Sequence, residues 1–289
     1  MSRRLARTLR RLAVVLVLLG IFLALWAFWW EPARLTSRTY RLEIPRWPNQ
    51  CSGLRVAVAG DLHVGSPHQG LKMLREIVET MGALRPDLVL LAGDFVIQDV
   101  IGGKFVPPEV IARELARLRR LAPETPVYAV LGNHDWWLDA KRVRAALESS
   151  GIPVLEDQAV ELRLGRCSFW LVGLGDFWEG DPDVARATRG VPAGVPALAL
   201  THNPDLFAEL PDRFSLVVAA HTHGGQVSIP LVGRPIVPSS YGERYAAGHV
   251  VEGGRHLFVT TGLGTSILPV RFRVPPEISL LELRPRILR

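Results

Sequence analysis

Residues 56–63 read VAVAGDLH: four small or branched apolar residues, a glycine, then Asp61 and His63 separated by one leucine. A short apolar run bounded by a turn signal is expected to be a buried strand, and this one ends on two groups able to hold a cation. The pattern recurs four times. LVLLAGD (88–94) ends in Asp94, YAVLGNHD (128–135) in Asn133, His134 and Asp135, ALALTHN (197–203) in His202, and LVVAAHTH (216–223) in His221 and His223. Ligands of open α/β sheets bind beyond the carboxyl ends of the strands, so five distant stretches are expected to bring their polar groups to one rim.

Around these stretches the apolar periodicity predicts strands at 54–59, 88–92 and 127–131, alternating with helices at 71–84, 109–121 and 140–150. This is a βαβαβ pattern. From Val154 onward shorter strands are expected at 159–164, 168–174, 197–201, 216–219, 256–261 and 278–283, with few helices between them. No composition break or internal repeat separates the halves, which implies one domain of two packed sheets over 51–289. A proline-bearing linker (32–50, with Pro32, Pro45 and Pro48) and a segment of other character (1–31) precede it.

That first segment holds Leu12 to Trp30, LAVVLVLLGIFLALWAFWW, 19 residues without a charge. At about 1.5 Å per residue a helix of this length spans roughly 28 Å, enough to cross a bilayer. Its apolar run exceeds that of a cleaved signal, and no small-x-small site follows, so a retained single-pass anchor is expected. The net charge is +6, yet Arg3, Arg4, Arg7, Arg10 and Arg11 supply five of those charges, leaving +1 from Glu31 onward. A nearly neutral domain lacks the basic stripe that nucleic acid requires, and no nucleic-acid partner is expected. Arg34, Arg38, Arg41 and Arg46 follow the span and nearly balance the arginines before it. The positive-inside rule therefore favours an exterior domain only weakly. Cys51 and Cys167 show no metal or redox spacing and are expected to stay unpaired; pairing in an oxidising compartment is the alternative.

Spacing bears on the chemistry. In extended chain, residues i and i+2 point the same way, so Asp61 and His63 are expected to reach one centre. His221 and His223 share that parity, although loop curvature could direct them to two neighbouring centres. Any one of these groups alone reads as a satisfied core histidine or a turn. Five strand ends carrying Asp-x-His, Gly-Asp, Gly-Asn-His-Asp, His and His-x-His are not explained by capping five times over.

The ordered series resembles the signature of the calcineurin-like metallophosphoesterases, matched here from Asp61 to His223. The membrane-anchored branch is resembled more closely still, through the single N-terminal span, HTHGGQ (221–226), Gly262-Leu263-Gly264, Pro269-Val270-Arg271 and Pro275-Pro276-Glu277-Ile278. Two departures stand out: Ala220 occupies a position where the family usually has glycine, and GDFVIQD (93–99) lacks the Asp-Arg pair of protein phosphatases, which argues against a protein substrate.

The resemblance implies an α/β fold, an αββα sandwich of two mixed sheets flanked by helices, carrying two divalent ions at one edge. Asp61, His63 and His223 would hold the first ion, Asn133, His202 and His221 the second, with Asp94 bridging both. Oxygen and imidazole ligands without thiolate suit Mn, with Fe, Zn or Ni as alternatives. Such a pair lowers the pKa of a shared water and clamps phosphoryl oxygens, and His134 is the expected general acid, with Asp135 either orienting its ring or capping a helix. The implied substrate is a phosphodiester or pyrophosphate, with UDP-2,3-diacylglucosamine of lipid A biosynthesis one case, met at a bacterial inner membrane. An exterior phosphodiesterase or phosphatase acting on lipid or small phosphate esters is the alternative, and an inactive metal-binding scaffold is the reading from another class.

Remaining candidates are weaker. His68, His249 and His256 lack partners in sequence. Trp136 and Trp137 are expected either to line a substrate groove or to fill core, and Arg271 and Arg273 either to meet a phosphate or to coat a solvated strand. Oligomeric state is not legible.

Overall fold

In the computed structural model, which describes residues 3–286, an apolar helix precedes two face-to-face sheets. The chain runs α1 (Arg3–Leu25), β1 (Thr36–Ile44), β2 (Leu54–Ala59), α2 (Leu71–Ala83), β3 (Leu88–Ala92), α3 (Pro108–Leu115), α4 (Leu118–Leu121), β4 (Val127–Val130) and α5 (Asn133–Ser149). It continues through β5 (Gln158–Leu164), β6 (Cys167–Gly173), α6 (Val184–Thr188), β7 (Ala197–Leu200), β8 (Leu216–Ala219), β9 (Gly248–Glu252), β10 (Arg255–Val259) and β11 (Glu277–Pro285).

The first sheet has strand order β1-β11-β2-β3-β4, the second β5-β6-β7-β8-β10-β9. β2, β3 and β4 are parallel neighbours in the first sheet, and β7 and β8 are parallel neighbours in the second. Those five strands are the ones whose ends carry the polar stretches, so their carboxyl termini share one edge of each sheet.

Period-two alternation builds the layers, because successive side chains of a strand face opposite sides. On β2, Val56 and Val58 point into the space between the sheets, against Leu198, Leu200, Leu216 and Val218 of β7 and β8. Ala57 points the other way, into a core with Leu74 and Ile77 of α2, Ile111 of α3 and Val143 of α5. A third core backs the second sheet, joining Val217 and Leu257 to Ala187 of α6 and to Phe207. The result is the expected αββα sandwich.

Two sequence expectations need correction. The stretch 32–50 is not simply a linker, because Thr36–Ile44 pairs in parallel with β11 along nine residues. It is an edge strand that buries only Leu42 and Ile44, which leaves TSRTYRLEI too polar to announce itself. The helix expected from about residue 140 is present, capped by Asp139, whose Oδ1 accepts from the Arg142 amide (3.0 Å) and whose extended backbone breaks α5; a further helical stretch from Asn133 precedes it, with Asp135 accepting from the Gly132 amide (3.0 Å). Cys51 and Cys167 are joined in a disulfide, not unpaired. Cys51 lies just before β2 and Cys167 opens β6, so the bond ties the two sheets together at the edge opposite the polar one.

Before the sheets, one apolar helix extends from Arg3 to Trp30, long and apolar enough to cross a membrane. Its side chains are mostly exposed, while its last turn is rooted in the body. The Arg271 amide donates to Ala27 O (2.9 Å), Glu31 accepts from the Val274 amide (2.6 Å) and from the Trp26 indole (2.6 Å), and the His68 ring meets Phe28 O (3.0 Å).

Candidate metal centre

The loops after β2 and β3 stay paired beyond the strands: the amides of Asp61, His63 and Val64 donate to the carbonyls of Gly93, Asp94 and Phe95. Here the chain leaves extended geometry. Asp61, His63, Asp94, His221 and His223 all have positive φ, between 40 and 70°, a region that side chains other than glycine adopt at a cost of about 1–3 kcal/mol each. The i, i+2 parity is therefore not what aims these groups. Tight left-handed turns send His221 toward His202 while its neighbour His223 turns to His63.

Two local packings hold the turns. The Ala220 methyl fills the space beside Gly60, where a Cβ would lie 2.6 Å from it, so alanine is accommodated because glycine stands opposite. Gly262, at φ +68°, lies so close to Asp61 that a Cβ would approach its Oδ2 to 2.4 Å. The Gly262-Leu263-Gly264 turn then donates the Gly264 amide to Asp61 O (2.6 Å).

All seven expected ligand residues are buried and lie at one edge. Their donor atoms gather into compact groups: Asp61 with His63 and His223, Asp94 with His202 and His221, and His63 with Asp94 and His134, the atoms of each group all within 4.8 Å of one another. Asp94 lies between the first two groups, its Oδ2 being 3.5 Å from His63 Nε2 and 3.3 Å from His202 Nε2. Asn133 joins the second through Oδ1, 3.2 Å from His202 Nε2.

The hydrogen bonds around the rings test whether this arrangement suits cations. His63 Nδ1 donates to Val96 O (3.0 Å) and His202 Nδ1 to Ala92 O (2.7 Å), contacts that fix each neutral ring with a bare Nε2. Both bare nitrogens face the lone pairs of Asp94, and only a proton or a cation relieves that repulsion. Asp61 Oδ2, His221 Nε2 and His223 Nδ1 are buried with no hydrogen-bond partner, an arrangement rarely tolerated without an ion or water. The residues fit a cation-binding site.

Electrostatics point the same way. Burial pushes His63 and His221 down to about 3, leaving them as neutral imidazoles, the form able to ligate a cation. It also raises Asp61 to about 7. Burial opposes protonation of His202, but the Asp94 carboxylate outweighs it and lifts that ring to about 10. Where no cation sits, Asp94 draws in a proton.

Asp135 does not orient His134. Its carboxylate accepts from the amides of Gly132, Asp94, Phe95 and Val96 (2.9–3.3 Å), knitting the β3 loop to the start of α5. The group holding the His134 ring is Gln98, whose Oε1 lies 3.1 Å from Nδ1, a residue that GDFVIQD displays without marking its role.

The site opens into a cavity of about 210 Å³ walled by Trp137, Trp178, Ile236, Pro238 and Ile267. Trp178 stands edge-on to His221 at 4.4 Å and carries no signal in sequence. Of the tryptophan pair, Trp137 lines the cavity and Trp136 packs on the core. Arg271 takes neither expected role, being fully buried with its guanidinium bonded to the carbonyls of Gly264, Thr261 and Val274. His249 and His256 pair with each other (2.9 Å), away from the cluster.

A two-sheet sandwich with imidazoles and carboxylates converging at one edge defines a metal-dependent hydrolase. Residues 54–225 match the model of the calcineurin-like phosphoesterases, and the chain belongs to that family, whose members act on phosphate esters through a dinuclear metal centre. Phosphodiesterase YaeI of Escherichia coli (strain K12) is 34% identical over 257 residues, 88% of this chain and 90% of its own length. UDP-2,3-diacylglucosamine pyrophosphatase LpxG of Chlamydia trachomatis is 25% identical over 313 residues, 89% and 92% of the two chains. Among solved structures, a 5'-nucleotidase precursor from Thermus thermophilus aligns with TM-score 0.42 and 15% identity over 71% of this chain and 48% of that one.

Proposed function

We propose that this hydrolase cleaves a phosphodiester or pyrophosphate bond of an amphiphilic substrate at the face of a membrane, using two divalent cations. Asp61, His63 and His223 would hold one cation and Asn133, His202 and His221 the other, with Asp94 shared between them. Manganese suits the donor set best, with Fe, Zn or Ni as alternatives. When bound, the pair supplies an acidified water nucleophile and Lewis-acid contacts to the phosphoryl oxygens. His134 keeps Nδ1–H on Gln98 and presents a protonated Nε2 to the leaving oxygen, which it protonates as the ester bond breaks. Trp137 and Trp178 exclude water from one side and offer faces to an apolar or base-bearing group.

The observation that carries this reading is the position of Asp94 between the two bare histidine nitrogens. Asp94→Ala and His221→Ala are expected to abolish Mn-dependent hydrolysis of bis-p-nitrophenyl phosphate while the melting temperature stays within a few degrees of the unmodified protein. Undiminished turnover in either folded variant removes the assignment.

The Cys51–Cys167 disulfide supports an exterior catalytic domain, since such bonds persist in oxidising compartments; the five arginines before α1's apolar stretch agree. A second reading, UDP-2,3-diacylglucosamine, is favoured by the likeness to LpxG and calls for a cytoplasmic domain. A topology reporter fused after the last residue, with a substrate panel of UDP-lipids and phospholipids, separates the two.

A further inference from the structure

The loops ringing the cavity mouth expose large apolar side chains at their tips. Leu231 is 108% exposed, Ile236 76% and Ile267 65%, and Val232, Ile101 and Phe105 are also exposed. Leu231 and Ile267 sit at positive φ, so two strained turns present branched residues to the outside where glycine or a polar group would cost less. Burial within the protein does not explain them.

Hydrogen bonds join these tips to one another and to the root of the apolar helix. His68 meets Phe28 O at that root, Gly65 accepts from the Lys104 amide (2.8 Å), the Ile101 amide donates to Ile267 O (3.0 Å), and Gln226 bonds the carbonyls of Ser266 and Leu268. The Ile229–Gly233 turn bearing Leu231 follows Gln226, which accepts from the Phe272 amide next to Arg271. Exposed Trp29, near the end of the helix, stands edge-on to the His68 ring at 5.4 Å, and exposed Trp30 follows it. The apolar tips thus continue outward from the place where the helix meets the domain, and connected apolar surface of this kind marks a site of association.

We propose that this rim is a membrane-docking surface: the tips at 101–105, 229–236 and 267–268 enter the interfacial layer of the bilayer, and the metal-site cavity opens at headgroup level. The proposal rests on α1 being a membrane span. It also accounts for the cavity's size. About 210 Å³ holds a phosphate with part of its headgroup, below the roughly 300–1,000 Å³ of sites that engulf a ligand, so acyl chains remain in the bilayer while the phosphate enters. Lys104, exposed within the 101–105 tip, suits anionic lipid.

Full-length protein in vesicles of phosphatidylethanolamine and phosphatidylglycerol tests this through single cysteines carrying a polarity-sensitive fluorophore, quenched by lipids with a nitroxide high on the acyl chain. Leu231→Cys and Ile267→Cys, with the native Cys51–Cys167 disulfide left intact, are expected to be quenched at least threefold more than Glu124→Cys, which sits exposed on the opposite edge. Leu18→Cys reports the span itself. Quenching at 18 with none at 231 and 267 overturns the docking surface while the anchor stands; no quenching at 18 removes the anchor and the proposal with it. Leu231→Asp with Val232→Asp is expected to at least halve quenching at 267, and unchanged quenching would count against the 229–236 turn as an insertion point.

Discussion

Gln98 holds His134 from two sides: its Nε2 donates to the histidine's own carbonyl oxygen (2.9 Å) while its Oε1 meets ring Nδ1 (3.1 Å). The amide NH2 is committed to the carbonyl, so Oε1 is left to accept Nδ1–H, and Nε2 is the nitrogen free to carry a proton to substrate. Gln98→Ala is expected to lower kcat about tenfold to a hundredfold for a diester with an alkyl leaving group, with KM little changed. The loss should shrink for a p-nitrophenyl ester, whose leaving group needs no proton. Gln98→Glu restores the acceptor beside Nδ1 and should recover part of the lost kcat. Equal losses for both leaving groups would mean that Gln98 only supports the loop.

Cation binding should be proton-linked. His202 is lifted to about 10 by Asp94 in the cation-free site, and burial raises Asp61 to about 7. Both must be unprotonated to ligate, so acid competes with metal. Between about pH 7 and 9 one displaced proton makes apparent affinity rise about tenfold per pH unit; below pH 7 the Asp61 proton steepens the dependence. Calorimetry of Mn binding to chelator-treated protein, in buffers of differing ionisation enthalpy, is expected to show release of about one proton at pH 8. Affinity independent of pH would separate His202 and Asp61 from the ions.

The disulfide closes a loop of 116 residues between segments belonging to different sheets. Chain-entropy reasoning assigns such a crosslink roughly 4–5 kcal/mol, and measured removals fall near 2–5 kcal/mol. Cys51→Ser with Cys167→Ser is expected to lose stability in that range, read from denaturant melts. The metal site should keep its Mn affinity, because the bond lies at the far edge.

The five strand ends that carry the candidate ligands were legible because each follows an apolar run that is buried on both faces, where pattern and position agree. What was not legible depends on partners far along the chain. β1 exposes most of its residues and is defined only by β11, some 240 positions later. The cysteine pairing follows from the facing of two sheets and has no local signal. Gln98 reaches His134 through the left-handed turn at Asp94, which contacts beyond the local sequence impose, and turns of the same kind, rather than extended-chain parity, bring Asp61 and His63 into one group. Arg271 read as meeting a phosphate or coating a solvated strand because it and Arg273 alternate with Phe272, yet its charge is met by carbonyls of loops that tie the helix root to the site.

Glu156 offers a stability test outside the metal cluster. Its carboxylate is largely buried, accepts from the Leu131 amide (3.2 Å), and stands 3.5 Å from Arg144; burial pushes it up to about 7. A carboxyl raised above its unfolded value of 4.5 takes up protons more readily in the folded chain. Its stabilising contribution is therefore full below about pH 4.5 and is lost as pH rises through 7. The span corresponds to on the order of 2–3 kcal/mol after allowance for residual solvent contact. Glu156→Gln keeps the acceptor for Leu131 but removes the titration, so the difference in unfolding free energy between variant and wild type should grow in the variant's favour from pH 4.5 to 7 and level off above. A difference flat across that range would show that Glu156 is ionised in the folded protein, held so by Arg144.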